Sequence, residues 1–155
     1  MLRIQQTVLE EIRRHGEATY PHECCGILLG SSDWERDERT VTRAPRCGNT
    51  RADSPHNRYH IDERELIAAQ KQARERGEDI VGFYHSHPDH PARWSATDLA
   101  EAHWLGCSYV ITSVAKGKAD VTNSFVLAGT LEEDKRFADE LLVVQEVVTA
   151  PTGKA

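Results

Sequence analysis

Asp79 to His87 reads as a central strand, made apolar by Ile80, Val81, Phe83 and Tyr84 and running directly into Pro88, a residue that stops ladder pairing. Side chains alternate along a strand, so His85 and His87 must share one face while Ser86 takes the other. The strand therefore delivers two imidazoles, one residue apart, to the rim of whatever sheet surrounds it. A chain built around such a strand has to supply neighbours to pair with it and helices to cover it.

The rest of the sequence offers both. Ile4, Val8 and Ile12 recur at four-residue steps among Glu10, Glu11, Arg13 and Arg14, which predicts an amphipathic helix from residue 2 to about 18, ended by Pro21. Cys25 to Leu29 is a short apolar run closed by Gly30, Ser31 and Ser32, as in a buried strand, and the charged stretch Asp33 to Arg39 turns it into Thr40-Val41-Thr42 as a hairpin. Pro45 to Asn57 is polar and reads as an irregular surface loop. Asp62 with Glu65 three residues on resembles a capping box, and Glu63 to Arg76 is rich in helix formers before Gly77. A short helix is expected over Ser95 to Trp104, then two strands, Tyr109 to Thr112 and Asn123 to Leu127, joined around Gly117. Leu131 to Val148 fits a helix, or a helical turn followed by a strand at Leu141 to Val148, where the valines favour the strand. The order helix, strands, helix, strands indicates an α+β class or three-layer packing around a mixed sheet.

Length and composition narrow the function classes. A chain of 155 residues matches one globular domain, taken here as 1–150 with a short tail at 151–155. A formal net charge of −6 argues against nucleic acid as a partner. No apolar run approaches the ~18 residues of a membrane helix, and Met1 to Gln6 lacks a signal-peptide stretch, so the expected compartment is the cytoplasm with no membrane partner. Cys24, Cys25, Cys47 and Cys107 show no Cys-x-x-Cys spacing and are read as reduced, small apolar core residues.

The chemistry concentrates in His85-Ser86-His87-Pro88 and the residues that follow. Asp98, on the first turn of the predicted short helix, can fold back across the proline loop to join His85 and His87 as a third metal ligand. Three protein ligands leave one position for water, whose pKa a catalytic zinc lowers from about 15.7 towards ~7. Such a site also needs a general base, normally a glutamate. Two plainer readings compete: His-x-His pairs are commonly surface or packing residues, and Ser95-x-x-Asp98 is an ordinary N-terminal capping box.

His85-Ser86-His87-Pro88, six residues, Ser95, two residues and Asp98 resemble the JAMM (MPN+) signature without a gap. Upstream, Pro21-His22-Glu23-Cys24-Cys25-Gly26-Ile27-Leu28-Leu29-Gly30 is similar to the same family's second block. Weaker echoes at Asn57-Arg58-Tyr59-His60 and Ser108-Tyr109-Val110-Ile111 extend the likeness over most of residues 1 to about 128. The resemblance implies a cytidine-deaminase-like MPN fold, three layers with a mixed, mostly antiparallel sheet flanked by helices. It also implies a zinc metallopeptidase with one Zn2+ per chain held by His85, His87 and Asp98, with Glu23 as general base and acid and Ser95 stabilising the oxyanion.

The implied substrate is a peptide or isopeptide bond after the C-terminal Gly-Gly of a ubiquitin-like protein. The compact chain resembles the stand-alone bacterial type, which implies a small ubiquitin-like sulfur-carrier partner and release of cysteine or a similar residue. A homodimer is carried as an option. Two alternatives stay open: a metal-free MPN-like interaction module, and a zinc-dependent small-molecule amidase or deaminase. His90, His22, His56, His60 and His103 are read as solvated, Cys24 as a core residue with an inhibitory thiol as its alternative, and Trp94 and Trp104 as core or groove wall.

Overall fold

The apolar stretch at Asp79 becomes the ten-residue strand Asp79–Pro88, inside a nine-stranded sheet among the described residues. The computed structural model describes residues 1–50 and 59–146. In chain order the elements are β1 (Leu2–Gln5), α1 (Gln6–Thr19), β2 (Cys25–Asp33), β3 (Glu38–Arg43), β4 (Arg46–Cys47), α2 (Glu63–Glu75), β5 (Asp79–Pro88), α3 (Ala96–Glu101), β6 (Ser108–Ala115), β7 (Lys118–Ala128), β8 (Arg136–Glu140) and β9 (Leu142–Gln145). The sheet order is β8-β7-β6-β5-β2-β3-β1-β9, with β4 beside β2. Parallel pairing is confined to β5–β6, β1–β3 and β1–β9, and the remaining pairs are antiparallel. The α+β expectation with a mixed, mostly antiparallel sheet and helices on both faces therefore holds.

Alternation along the strands decides which helix covers what. Leu28 of β2, Tyr84 of β5 and Val110 of β6 pack with Val8 and Ile12 of α1, while Ile27, Leu29, Phe83 and Tyr109 pack with Ala69 and Ala73 of α2. One irregularity adjusts β5: Leu28 pairs with Gly82 but Leu29 with Ile80, so Val81 is an extra residue, and Ile80 and Phe83 share the α2 face. From Phe83 onward the alternation is regular, which places His85 and His87 on the α2 side and Ser86 on the α1 side. Ile27, Leu28 and Leu29 are wholly buried, each worth about 1.5–3 kcal/mol of transfer free energy.

Strands β8 and β9 sit at opposite ends of the sheet order, yet only Leu141 separates them in sequence. One residue spans about 3.6 Å at most, whereas strands about 4.8 Å apart would put the ends of a flat sheet more than roughly 30 Å from each other. The sheet is accordingly rolled until its ends meet. Helix α1 lies in the hollow, which explains how it touches β1 and β9 as well as β6 and β7. A buried polar network closes the roll: Arg39 of β3 reaches Glu140 of β8 at 2.8 Å and Ser108 of β6 at 2.6 Å, and Ser124 of β7 donates to Glu140 at 2.7 Å.

Several boundaries differ from expectation. Leu2–Gln5 is a strand, not the start of the first helix; Leu2 and Ile4 are buried because β1 is inserted between β3 and β9, a long-range pairing that a local four-residue periodicity cannot register. Within the loop expected over Pro45 to Asn57, Arg46–Cys47 pairs with β2, and residues 51–57 lie outside the described set, as does His56. Asp62 does cap α2, accepting from the Arg64 amide at 2.8 Å, but Glu65 accepts from the Gly48 amide instead of closing a capping box. Helix α3 stops at Glu101, short of Trp104, whose amide donates to the Tyr109 hydroxyl at 3.2 Å. The helical option for the C-terminal segment gives way to a turn at Leu131 to Asp134 followed by two strands, of which β8 was not anticipated. The expected strand end at Val148 and the tail 151–155 lie outside the described residues. No helix among the described residues is long and apolar enough to cross a membrane.

Candidate metal centre

His85 and His87 leave β5 on one face, and the proline-rich turn after them brings the chain back to α3. Their Nε2 atoms lie 3.1 Å apart; Asp98 Oδ2 is 3.1 Å from His87 Nε2 and Asp98 Oδ1 is 3.3 Å from His85 Nε2. Atoms bound at about 2.0–2.1 Å to one tetrahedral ion would be separated by roughly 3.3 Å, and each of these contacts, the two to Asp98 through different carboxylate oxygens, is close to that length. The donor chemistry agrees. Two imidazole nitrogens in this contact repel each other if both carry lone pairs or both carry protons, and a shared cation removes the conflict.

Each member is fixed by a local bond. His87 Nδ1 lies 2.9 Å from the Pro91 carbonyl, which can only accept, so the proton belongs on Nδ1 and the Nε2 lone pair faces inward. His85 is buried and stacked on Tyr59, with ring centroids 4.5 Å apart. The capping box of α3 is complete: Ser95 Oγ accepts from the Asp98 amide at 3.1 Å, and Asp98 Oδ2 accepts from the Ser95 amide at 2.9 Å. The cap and the three-residue cluster are thus one arrangement, because the cap orients the aspartate towards the imidazoles. Ser95 keeps its O–H as a donor.

Glu23 joins the cluster from the segment preceding β2. Its carboxylate lies within 4.8 Å of ligating atoms of both His85 and His87, and Oε1 is buried with no hydrogen-bond partner among the described residues. Burial, reinforced by the charges of Asp98 and Glu101, pushes its carboxyl up to about 9. Burial alone would also raise Asp98, but His85, His87 and the Ser95 amide outweigh it and hold that carboxyl well below the usual range. Burial lowers His85, whereas contact with Asp98 overcomes burial at His87 and raises it.

All five residues singled out from sequence, Glu23, His85, His87, Ser95 and Asp98, are therefore brought together. The others stand apart. His60 bonds Thr50 and His103 faces Glu132, both exposed, while the exposed His90 bonds His87 and Ser113 through its backbone. The Cys24 thiol packs on the α1 side with Leu28 and Tyr84, away from the imidazoles, and burial pushes it up to about 11, so an inhibitory thiol ligand does not fit. Trp104 packs against Phe83 and Trp94 against Phe137. Sequence reasoning missed Tyr59 as the ring stacked on His85; the echo at Asn57 to His60 was the available signal. Two cavities flank the cluster, one of about 300 Å³ lined by Tyr59, Phe83, Trp104 and Tyr109, the other of about 650 Å³ lined by Glu23, Thr19, Cys47 and Asn49.

A family model described as prokaryotic homologs of the JAB domain matches residues 5–128. The chain is 38% identical over 109 residues to a desampylase of Haloferax volcanii, covering 70% of this chain and 75% of that protein. It is 33% identical over 104 residues to a probable TtuB-protein conjugate cleaving protease of Thermus thermophilus, covering 67% and 65% of the two chains. A CysO-cysteine peptidase of Mycobacterium tuberculosis is 27% identical over 113 residues, with 73% of each chain covered. Among solved structures, a protein from Desulfitobacterium hafniense superposes with a TM-score of 0.79 at 33% identity, covering 94% of both chains.

Proposed function

Because the chain belongs to the family of prokaryotic homologues of the JAB domain, we propose that it is a zinc-dependent hydrolase that cuts the peptide or isopeptide bond after the C-terminal Gly-Gly of a small ubiquitin-like sulfur-carrier protein, releasing cysteine or a similar residue in the cytoplasm. The observation that carries this reading is the set of contacts of 3.1–3.3 Å linking His85, His87 and the two carboxylate oxygens of Asp98, with a buried Glu23 oxygen that has no partner among the described residues beside it. The names of the relatives, a desampylase, a conjugate cleaving protease and a CysO-cysteine peptidase, support the substrate class.

His85, His87 and Asp98 would hold the zinc. When bound, zinc supplies Lewis-acid polarisation of the scissile carbonyl and lowers the pKa of water at the open position. Glu23 takes the proton from the attacking water and returns it to the leaving amine; burial without a cation raises its carboxyl to about 9, and a cation held by His85, His87 and Asp98 would favour the ionised form that a base at neutral pH requires. Ser95, whose Oγ already accepts from the Asp98 amide, turns its O–H to the carbonyl oxygen as negative charge develops there. His87 keeps its inward lone pair through the Pro91 carbonyl. A Gly-Gly tail has no side chains, so its backbone can come close to a partly buried cluster.

The test is a mass measurement. The protein is incubated with a ubiquitin-like carrier ending in Gly-Gly-Cys, and the expected product is the carrier shortened to Gly-Gly, with no shortening after zinc removal or in Glu23→Gln. An unchanged carrier together with turnover of a small amide overturns the reading.

A further inference from the structure

Ser86 stands between the two imidazoles in sequence, projects from the opposite side of the sheet and has no part in the cluster of five. It is fully buried and makes a two-point contact with Cys24: Ser86 Oγ accepts from the Cys24 amide at 2.8 Å, and the Ser86 amide donates to the Cys24 carbonyl at 3.2 Å. Cys24 directly follows Glu23. We propose that Ser86 is a positioning residue for Glu23, clamping the next peptide of the chain so that the Glu23 carboxylate stays against His85 and His87.

Three observations converge on this role. Strand β2 begins at Cys25, paired with His85, so the Cys24 amide lies beyond the regular ladder and takes the Ser86 hydroxyl as its acceptor. The Glu23 carboxylate has one oxygen with no partner among the described residues, and the cavity of about 650 Å³ beside it offers a route outward, so its place depends on how its backbone is held. Besides the Ser86 contact, the Asn49 side chain donates to the Glu23 carbonyl at 3.3 Å, a longer bond. The clamp is itself confined. A side chain at Gly16 of α1 would put its Cβ 3.3 Å from Ser86 Cβ, so the helix rests directly on the serine and keeps the hydroxyl turned to Cys24.

The inference rests on the hydrolase reading for its kinetics but not for its structural outcome. In Ser86→Ala, a solved structure is expected to show the Glu23 carboxylate moved by about 1 Å away from the imidazole nitrogens relative to the unmodified protein. On the Gly-Gly-Cys carrier, kcat is expected to fall about 10- to 100-fold, as for other displacements of about 1 Å, with KM within about twofold and zinc content unchanged. Ser86→Thr, which keeps the hydroxyl, restores both kcat and the position of Glu23. An unmoved Glu23 in the Ser86→Ala structure, or a kcat loss matched by lost zinc, overturns the proposal. If Ser86→Ala does not fold, Ser86→Cys, with a weaker acceptor at the same place, is judged by the same structure and kinetics. If the unmodified protein fails to cut the carrier, the functional reading falls while the position of Glu23 in the variant still decides the role of Ser86.

Discussion

Replacing Glu23 by glutamine should stabilise the metal-free protein while abolishing hydrolysis. Glu23 is 2% exposed, and burial with the nearby charges of Asp98 and Glu101 moves its carboxyl from the ordinary 4.5 to about 9. A raised acid carries stability that is complete below pH 4.5 and is lost as pH climbs towards 9, because the folded state binds a proton that the unfolded chain has released. Each pH unit in that window is worth about 1.4 kcal/mol, so at pH 7 the native state has given up about 3 kcal/mol. Glutamine keeps the shape without the charge and recovers about 2–3 kcal/mol, about 4–12 °C in Tm for a chain of this size. The assay is urea or thermal denaturation of chelator-treated wild type and E23Q from pH 4.5 to 8. The gap should widen with rising pH and close near pH 4.5. A variant less stable than wild type at pH 7, or a gap independent of pH, would refute the reasoning about this carboxylate.

Four further outcomes follow from other contacts. Zinc at about 100-fold over its Kd should add about 2.7 kcal/mol to wild-type stability and next to nothing in Asp98→Ala, read by melts with zinc or chelator; equal stabilisation of both proteins would remove Asp98 from the ligand set. Ser95→Ala should lower kcat by about 10²–10³-fold and also cost about 0.5–2 kcal/mol as a lost helix cap, and a stability loss with unchanged kcat would leave Ser95 only the cap. Arg39→Met leaves Glu140, whose side chain is only 4% exposed, with the Ser124 hydroxyl and the N-terminal ammonium but without its guanidinium partner, and should cost up to about 3–5 kcal/mol in urea denaturation, most of it recovered by adding Glu140→Leu. Burial, with Arg46 adding to it, lowers His15 from 6.5 to about 4, so its share of stability is present above pH 6.5 and is lost as pH falls towards 4; His15→Gln should lose about 3 kcal/mol less than wild type between pH 7 and pH 4.

What could be read from sequence were the elements whose signals are local. The helix Glu63–Glu75 carries its cap and its formers within one stretch, and Asp79–Pro88 carries its own apolar run and stop. Leu2–Gln5 and Arg136–Glu140 carry no such signal. Each is a strand only because the rolled sheet supplies partners from far along the chain, Arg39 to Val41 and Leu142 to Gln145 for the first, Ser124 to Ala128 for the second. Arg39 looked like one more charge in a solvated turn, and it is buried because Glu140 and Ser108 meet it from strands that only the closed sheet brings near.

The same distinction divides the site. His85 and His87 share a face because strands alternate, and Asp98 reaches them because a capping box orients its carboxylate, so three of the five residues follow from rules that act within fourteen positions. Glu23 follows no local rule, and only the resemblance of its surrounding block singled it out. Its place is set by strand register. Cys25 lies opposite His85 in the antiparallel β2–β5 pair, and continuing the same count outward sets Cys24 against Ser86 and Glu23 against His87. A slip of one residue would turn Glu23 to the α1 side and leave the imidazoles without a base. The bulge at Val81 sits farther along this same pair, where it absorbs the mismatch between the core-facing residues at one end of β5 and the cluster at the other. Removing that extra residue should therefore disturb the packing of Ile80 and the β2–β5 register near Leu29 before it disturbs the pairing of Cys25 with His85.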